Sequence, residues 1–218
     1  VLAPASVQEM ADFVELGFDL AFKYRNPAMI LSDGVIGQMM EKVTLKPHKP
    51  RWTESELIQN NPWATTGKPS SRERNVITSL ELDSSRQEIF NQKLQAKYQT
   101  IREQEVRYEE IDCNDAEYLI VAYGSSARIC QKAVELARAK GIKVGLFRPI
   151  TLFPFPNKQL LAYTSQVKSI LTVEMSSGQM IEDVKLAVEC KVPVTHFGRY
   201  GGMVHSPEEI LNALEQKI

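Results

Sequence analysis

Three short stretches hold the residue types that anion or coenzyme binding uses. Gly124–Ser125–Ser126 ends an apolar run and opens a helical pattern. Such a turn can offer backbone N–H groups and the positive end of a helix to a phosphate or carboxylate. Glu174–Met175–Ser176–Ser177–Gly178–Gln179 sets a carboxylate where a second apolar run stops. Gly198–Arg199–Tyr200–Gly201–Gly202 sets a guanidinium among glycines, a group able to grip a phosphate or carboxylate with two hydrogen bonds. The candidate binding residues are therefore Gly124, Ser125, Ser126, Glu174, Gly178 and Arg199. Each also has a plainer reading. Gly124 permits a tight turn and Ser125 caps the helix that follows. Ser176 and Gln179 fit a second cap. Glu174 closes an internal salt bridge, and the glycines around Arg199 supply positive-φ turns. The first stretch matches neither GxGxxG nor GxxxxGK(S/T). No serine has a sequence-evident histidine partner and no G-x-S-x-G occurs, so no catalytic residue is assigned.

Metal chemistry has little to work with. Cys113, Cys130 and Cys190 lie far apart and form no CxxC, and His48, His196 and His205 form no ligand spacing. No metal site is expected. Isolated cysteines, odd in number, point to a reducing, cytoplasmic setting and not to a disulfide framework.

The elements that must hold the three stretches alternate. "VRYEEI" suits an edge strand, and "YLIVAY", "IKVGLFRP", "SILTVEM" and "VPVTHFG" read as strands. Helical patterns lie between and after them. One carries Cys130, Ala133, Val134 and Ala137 and ends at Gly141; another opens at Ser206, Pro207 and Glu209 as a capping box. Continuous apolar strands that take turns with helices predict a three-layer α/β/α domain over residues 107–218, with a mostly parallel sheet. In such a sheet the loops after the strands' C-terminal ends are the usual ligand site, and all three stretches are of that kind.

Upstream, residues 1–43 give one helix and one strand. Ser6 and Glu9 fit a capping box, Val7, Met10, Ala11, Val14, Phe18 and Ala21 mark its inner face, Asn26–Pro27 stops it, and "AMILS" follows as a strand. The pair cannot bury a core alone, so this zone reads as the end of a domain begun earlier in a longer chain. Residues 44–106 read as a connector with a short turn at Thr53 and Glu56, then a long charged helix over "DSSRQEIFNQKLQAKYQTIREQE". Ser85 and Glu88 fit its cap, and Phe90, Leu94, Tyr98 and Ile101 form a thin stripe, suited to one neighbour in this chain or in another subunit. Trp52 and Trp63 either pin the connector to a domain or mark a partner surface.

The chain has 218 residues, 43% hydrophobic, with a formal net charge of −1. That balance gives no case for a nucleic-acid partner. No apolar run approaches the ~20 residues that cross a bilayer.

Taken in order, "RNPAMILSDGVIGQMMEKV", "NNPWATTGK", "DAEYLIVAYGSSAR", "GIKVGLFRPITLFPFP", "VEMSSGQMIEDVKLAV" and "GRYGGMVHSPEEIL" resemble the α-type subunit of 2-oxoacid:ferredoxin oxidoreductases, above all the 2-oxoisovalerate (branched-chain) members. The resemblance spans nearly the whole chain. It implies a thiamine diphosphate enzyme of anaerobic metabolism that oxidatively decarboxylates a 2-oxoacid to its acyl-CoA and passes electrons through iron–sulfur clusters to ferredoxin. It implies that residues 1–43 end a pyrimidine-binding thiamine domain, that 44–106 connect, and that 107–218 form a transketolase C-terminal-like domain with one antiparallel edge strand. It places the pyrimidine-activating carboxylate in an earlier part of that first domain. Thiamine diphosphate and Mg belong to a β-type subunit, and the clusters to cysteine-rich partners. Asp33–Gly34 lacks the Asn-containing segment of the thiamine GDG motif. On this reading the stretch assembles a full oligomeric complex, binds no cofactor alone and is inactive alone. A free-standing coenzyme- or anion-binding α/β module that uses the three loops is the alternative. A purely structural partner-docking protein is a third reading.

Overall fold

Ser6 starts the first helix, α1 (Val7–Tyr24): its Oγ accepts the Glu9 N–H at 3.1 Å. The cap expected there is half formed, because the Glu9 carboxylate turns back to the Ala5 N–H instead. The inner face also differs from the one the spacing predicts. Phe13 and Gly17 are buried, whereas Val14, Phe18 and Phe22 are 49, 65 and 44% exposed. Polar anchors set this rotation. Glu9 pairs with the buried Arg148, and at the far end Lys23 and the Tyr24 hydroxyl each donate to Glu105 at 2.7 Å. Glu9, Phe13, Gly17, Leu20 and Tyr24 recur at helical spacing, so the anchors and the inner stripe share a face.

The predicted strand "AMILS" reduces to a single parallel bridge between Leu2 and Ile30. Leu2 is fully enclosed; its own N–H and C=O bond to Met29 and Leu31, while the flanking Ala3 N–H and Val1 C=O bond to Ile150 and Leu152, so the segment is shared between two neighbours. A five-residue helix, α2 (Gly34–Gln38), follows.

The structure, a computed structural model, describes residues 1–45, 47, 52–68, 70–71 and 73–218. His48 and much of the connector "LKPHKPRW" fall outside the described residues. Thr53 and Glu56 form the expected capping box on α3 (Glu54–Asn60). The long helix, α4 (Ser84–Gln104), begins two residues earlier than a Ser85 cap would start it, because Asp83 is the cap and accepts the Arg86 N–H at 2.9 Å. Of its predicted stripe only Ile101 is buried, and Phe90 is 49% exposed.

From Arg107 onward the pattern predicts the elements closely. They are β1 (Tyr108–Ile111), β2 (Tyr118–Ala122), α5 (Gly124–Ala139), β3 (Val144–Pro149), α6 (Asn157–Ala162), β4 (Ser169–Glu174), α7 (Met180–Ala187), β5 (Val194–Gly198) and α8 (Pro207–Glu215). The sheet order is β1-β3-β2-β4-β5. β1 is the one antiparallel edge strand, and the other neighbours pair in parallel. Alternation along β2 makes the layers. Ile120 and Ala122 face the cluster with Ala133, Val134, Ile210 and Leu214 of α5 and α8. Leu119 and Val121 face Leu160, Met180 and Val184 of α6 and α7. Successive strand side chains point to opposite faces, so a strand covered on both sides must be apolar throughout. Each fully buried Leu, Ile or Val contributes about 1.5–3 kcal/mol here.

By contacts the chain divides into two compact units. One joins Val1–Val43 with Lys97–Ile218, and Thr44–Ala96 is the other. In the first unit Arg148, 5% exposed, ties β3 to α1 through Glu9 and to β1 through Glu109 at 2.9 Å. Among the described residues no helix is long and apolar enough to cross a membrane.

Candidate functional site

The C-terminal ends of β2, β4 and β5 lie side by side, so one edge of the sheet carries all three sequence-predicted loops. At the first, Gly124 lies at φ 60°, and a Cβ there would stand 2.8 Å from Asp33 Oδ2. That oxygen accepts the Ser125 N–H at 2.9 Å, while Asp33 Oδ1 accepts the Val35 and Ile36 N–H groups at 3.0 Å each. One carboxylate therefore caps two helices, α2 and α5. The turn is an anion cradle, and its anion is the chain's own Asp33. Ser125 does not cap α5 as expected: its hydroxyl points to Met175 Sδ, 3.7 Å away, because Asp33 already holds the amide. Ser126 is buried.

At the second loop Glu174 is fully buried and, among the described residues, pairs with no lysine or arginine. Its Oε2 accepts from the Ser176 hydroxyl and from the Gln179 and Met180 N–H groups at 3.1, 3.1 and 2.8 Å, and its Oε1 accepts from the Ile181 N–H at 3.0 Å. The cap on α7 is thus Glu174, and the Ser176–Gln179 cap read from the spacing does not form. A buried carboxylate is tolerated because its lone pairs meet donors at the positive end of a helix. His196 Nδ1 stands 3.4 Å from Oε1, and His196 Nε2 faces the Ser176 carbonyl at 3.2 Å. Gly178, at φ 109°, turns the loop against the His196 ring.

The Glu174 carbonyl holds the third loop. It accepts the Arg199 N–H at 3.2 Å and, at 3.0 Å, the Nε2–H of His205. His205 is 5% exposed, packs its ring 5.1 Å from that of Phe197, and leaves Nδ1 without a partner. Burial, the largest influence, lowers the His205 pKa below its ordinary value of 6.5. The neutral ring is the one the fold wants. The unfolded chain takes up the proton first as pH falls, so this contribution is whole above about pH 6.5 and shrinks toward the lower folded-state pKa. Chemical denaturation between pH 7 and pH 5 should show wild type losing more stability than His205→Gln. The extra slope is at most about 1.4 kcal/mol per pH unit. Equal slopes would remove His205 from the account.

Of the six predicted residues, Arg199 alone lines the cleft at this edge of the sheet. Its Nη2 pairs with Glu209 Oε1 at 2.9 Å, and its Nε is buried without a partner. A cleft of about 350 Å³ opens beside it, lined by Asp33, Gly34, Val35, Gln38, Met175, Arg199, Gly202 and Met203. The arrangement can hold one anionic group against a guanidinium, with thioether and aliphatic walls for the rest of a ligand. Sequence reasoning missed Gln38, Met175, Met203 and above all Asp33. The "SDG" string signals a local cap for α2, but nothing in it announces a bond to a residue 92 positions on. The three cysteines are free. Cys113 and Cys130 are buried, and burial pushes the Cys113 thiol up to about 11, far from a reactive thiolate.

Comparison with known proteins matches residues 1–112 to the family described as pyruvate flavodoxin/ferredoxin oxidoreductase, thiamine diP-binding, and residues 116–210 to pyruvate:ferredoxin oxidoreductase core domain II. The chain is 46% identical to ketoisovalerate oxidoreductase subunit VorB of Methanothermobacter marburgensis, over 99% of this chain and 59% of that one. It is 30% identical to 2-oxoglutarate synthase subunit KorA of the same organism, over 98% of this chain and 62% of that one. The chain thus spans about three-fifths of the length of these relatives. Among solved structures, 2-oxoglutarate:ferredoxin oxidoreductase from Magnetococcus marinus with 2-oxoglutarate, coenzyme A and succinyl-CoA bound shares the fold. Its TM-score is 0.75 at 20% identity, over 99% of this chain and 41% of that one.

Proposed function

We propose, from the premise that this chain belongs to the pyruvate flavodoxin/ferredoxin oxidoreductase family, that it is part of the α-type subunit of a 2-oxoacid:ferredoxin oxidoreductase. In the whole complex that enzyme oxidatively decarboxylates a branched-chain 2-oxoacid, 2-oxoisovalerate, to its acyl-CoA and reduces ferredoxin. The observation that carries the substrate class is the 46% identity to a ketoisovalerate subunit against 30% to a 2-oxoglutarate subunit. Residues 1–43 end the pyrimidine-binding domain, 44–106 connect, and 107–218 form a transketolase C-terminal-like domain that serves assembly.

The residues present do not fit the metal-dependent cofactors. Among the described residues no three His, Cys, Asp or Glu side chains converge, so neither Mg nor an iron–sulfur cluster finds a ligand set. Asp33 spends both oxygens on amides and is no diphosphate–metal ligand. Glu9 is bound to Arg148, and Glu105 is bound to Lys23, Tyr24 and Arg107. These three carboxylates are each committed to partners within the chain, which leaves none of them free to exchange a proton with a thiamine ring. Thiamine diphosphate, its metal and the clusters belong to β-type and iron–sulfur partner subunits.

Coenzyme A is different, because the Arg199 cleft fits an anionic group. The Glu209 partner is half exposed, and a pair of that kind contributes only about 0–1 kcal/mol, so an arriving phosphate displaces it readily. Two measurements test the reading. The complex reconstituted with its partner subunits should turn over 2-oxoisovalerate with at least about tenfold higher kcat/KM than 2-oxoglutarate. The reverse preference overturns the substrate class. Calorimetric titration with coenzyme A should show saturable binding that weakens about tenfold in Arg199→Ala, the loss of one charge-assisted contact. Binding by the free chain as tight as by the complex would favour a free-standing coenzyme-binding module.

A further inference from the structure

Arg199 and Glu209 make only half of the contact that such a pair can make. A carboxylate can give both oxygens to a guanidinium, in two parallel hydrogen bonds. Here Glu209 Oε1 meets Arg199 Nη2 at 2.9 Å, but Glu209 Oε2 accepts the Ser206 N–H, also at 2.9 Å. That second bond belongs to the capping box of α8, so the start of the helix keeps the carboxylate from a two-point grip. Arg199 Nε is left buried without a partner. Nε and Nη2 lie along one edge of the planar guanidinium, the edge that an anion with two oxygens spans. A buried donor without an acceptor costs free energy, so this edge favours an anion that can satisfy both groups.

The pair is also one that can open. Its side chains are 32 and 38% exposed, so water receives both charges when they part. Arg148 differs: at 6% side-chain exposure, its pairs with Glu9 and Glu109 have no such release. The Arg199 backbone is held separately, by its N–H on the Glu174 carbonyl. Arg199 lines the cleft and Glu209 does not, so Glu209 reaches the guanidinium from α8 and a ligand reaches it from the cleft. Asp33, the acid in the cleft lining, cannot take over, because both of its oxygens hold amides.

We propose that Glu209 is an internal competitor of the ligand: its ion pair with Arg199 latches the cleft, and a phosphate that spans Nε and Nη2 releases it. The inference deepens the coenzyme A reading by naming the regulation of that site, and it rests on that reading for the anionic group. When the latch opens, Glu209 Oε2 stays on the Ser206 N–H and α8 keeps its cap. A half-exposed pair shifts the population only a few-fold, so the latch sets affinity and does not abolish binding.

The test is calorimetric titration of the complex reconstituted with its partner subunits, carrying wild-type chain or Glu209→Gln. Glutamine keeps the volume and an oxygen for the Ser206 N–H, and loses the charge. Coenzyme A and inorganic phosphate should each bind the variant about fivefold more tightly. Pantetheine, the arm of the coenzyme without its phosphates, should bind both alike. In an Arg199→Ala background the glutamine should change coenzyme A affinity by less than about twofold, because no guanidinium remains to be latched. Circular dichroism and the thermal transition of Glu209→Gln should match wild type. Phosphate binding that does not tighten in Glu209→Gln overturns the latch, and so does an equal gain in the Arg199→Ala background. The two readings fail separately. A gain for phosphate with no binding of coenzyme A keeps the latch and removes the coenzyme. Coenzyme A that binds wild type and variant alike removes the latch and keeps the coenzyme. Binding of neither removes both.

Discussion

Gly124→Ala should lower the stability of the unit containing the sheet by about 3 kcal/mol. Roughly 1–2 kcal/mol is the cost of placing an L-residue at positive φ. The rest comes from the Cβ 2.8 Å from Asp33 Oδ2, which must push the carboxylate off the Ser125, Val35 and Ile36 amides. Unsatisfied buried N–H groups cost about 1–3 kcal/mol each, and water entering the turn recovers part of it. At about 2–4 °C per kcal/mol, the thermal transition should fall by about 6–12 °C. The contact makes a second demand. In an Asp33→Ala background the same glycine substitution should cost about 1 kcal/mol less, because no carboxylate remains to be displaced. Strict additivity in that cycle would show that the strain is purely one of backbone angle.

Glu174→Leu is expected to be more severe, at about 4 kcal/mol. It buries an apolar side chain of similar volume but strips the acceptor from four donors, three of them amides at the start of α7. Glu174→Gln keeps one carbonyl oxygen and the volume, and should cost about half as much. Urea unfolding of the two variants gives the comparison. If leucine and glutamine cost the same, the carboxylate does not hold the loop by its hydrogen bonds. Because the Glu174 carbonyl also holds Arg199 N–H and His205, the leucine variant should weaken coenzyme A binding even though Glu174 does not line the cleft.

The two substitutions show where a sequence is informative. From Arg107 onward the apolar runs of the strands and the 3.6-residue spacing of the helices are both local patterns, and a local pattern fixes its own element. The edge strand was legible for the same reason, while its antiparallel direction came only from the family resemblance. "VRYEEI" alternates and so has one covered face, unlike β2, which is apolar throughout. The Thr53–Glu56 and Ser206–Glu209 capping boxes formed as read, since donor and acceptor lie three residues apart. Where two partners could claim one amide, local reading failed. Ser125 and Ser176 were each plausible caps, and each lost to a carboxylate with two oxygens and a full charge. For α7 that carboxylate came from the end of the preceding strand, and for α5 from another part of the chain.

The face of α1 failed for a related reason. Counting apolar side chains placed Val14 and Phe18 inward, but the rotation of a helix on its neighbour follows its anchored residues. The anchors are Glu9 to Arg148, and Lys23 and Tyr24 to Glu105, all contacts across long sequence separation. By itself, then, the chain's order of residues determined the layered sheet, its edge strand and the location of three loops at one end of it, because periodicity and short-range hydrogen bonding are carried by neighbours. Only the tertiary structure decided that the Gly124 cradle is filled by Asp33, that Glu174 faces inward as a cap, and that Arg199 alone of the six lines the open cleft. Charge satisfaction in a buried site is settled by whichever partner the fold brings within 3 Å, and sequence spacing does not encode that distance.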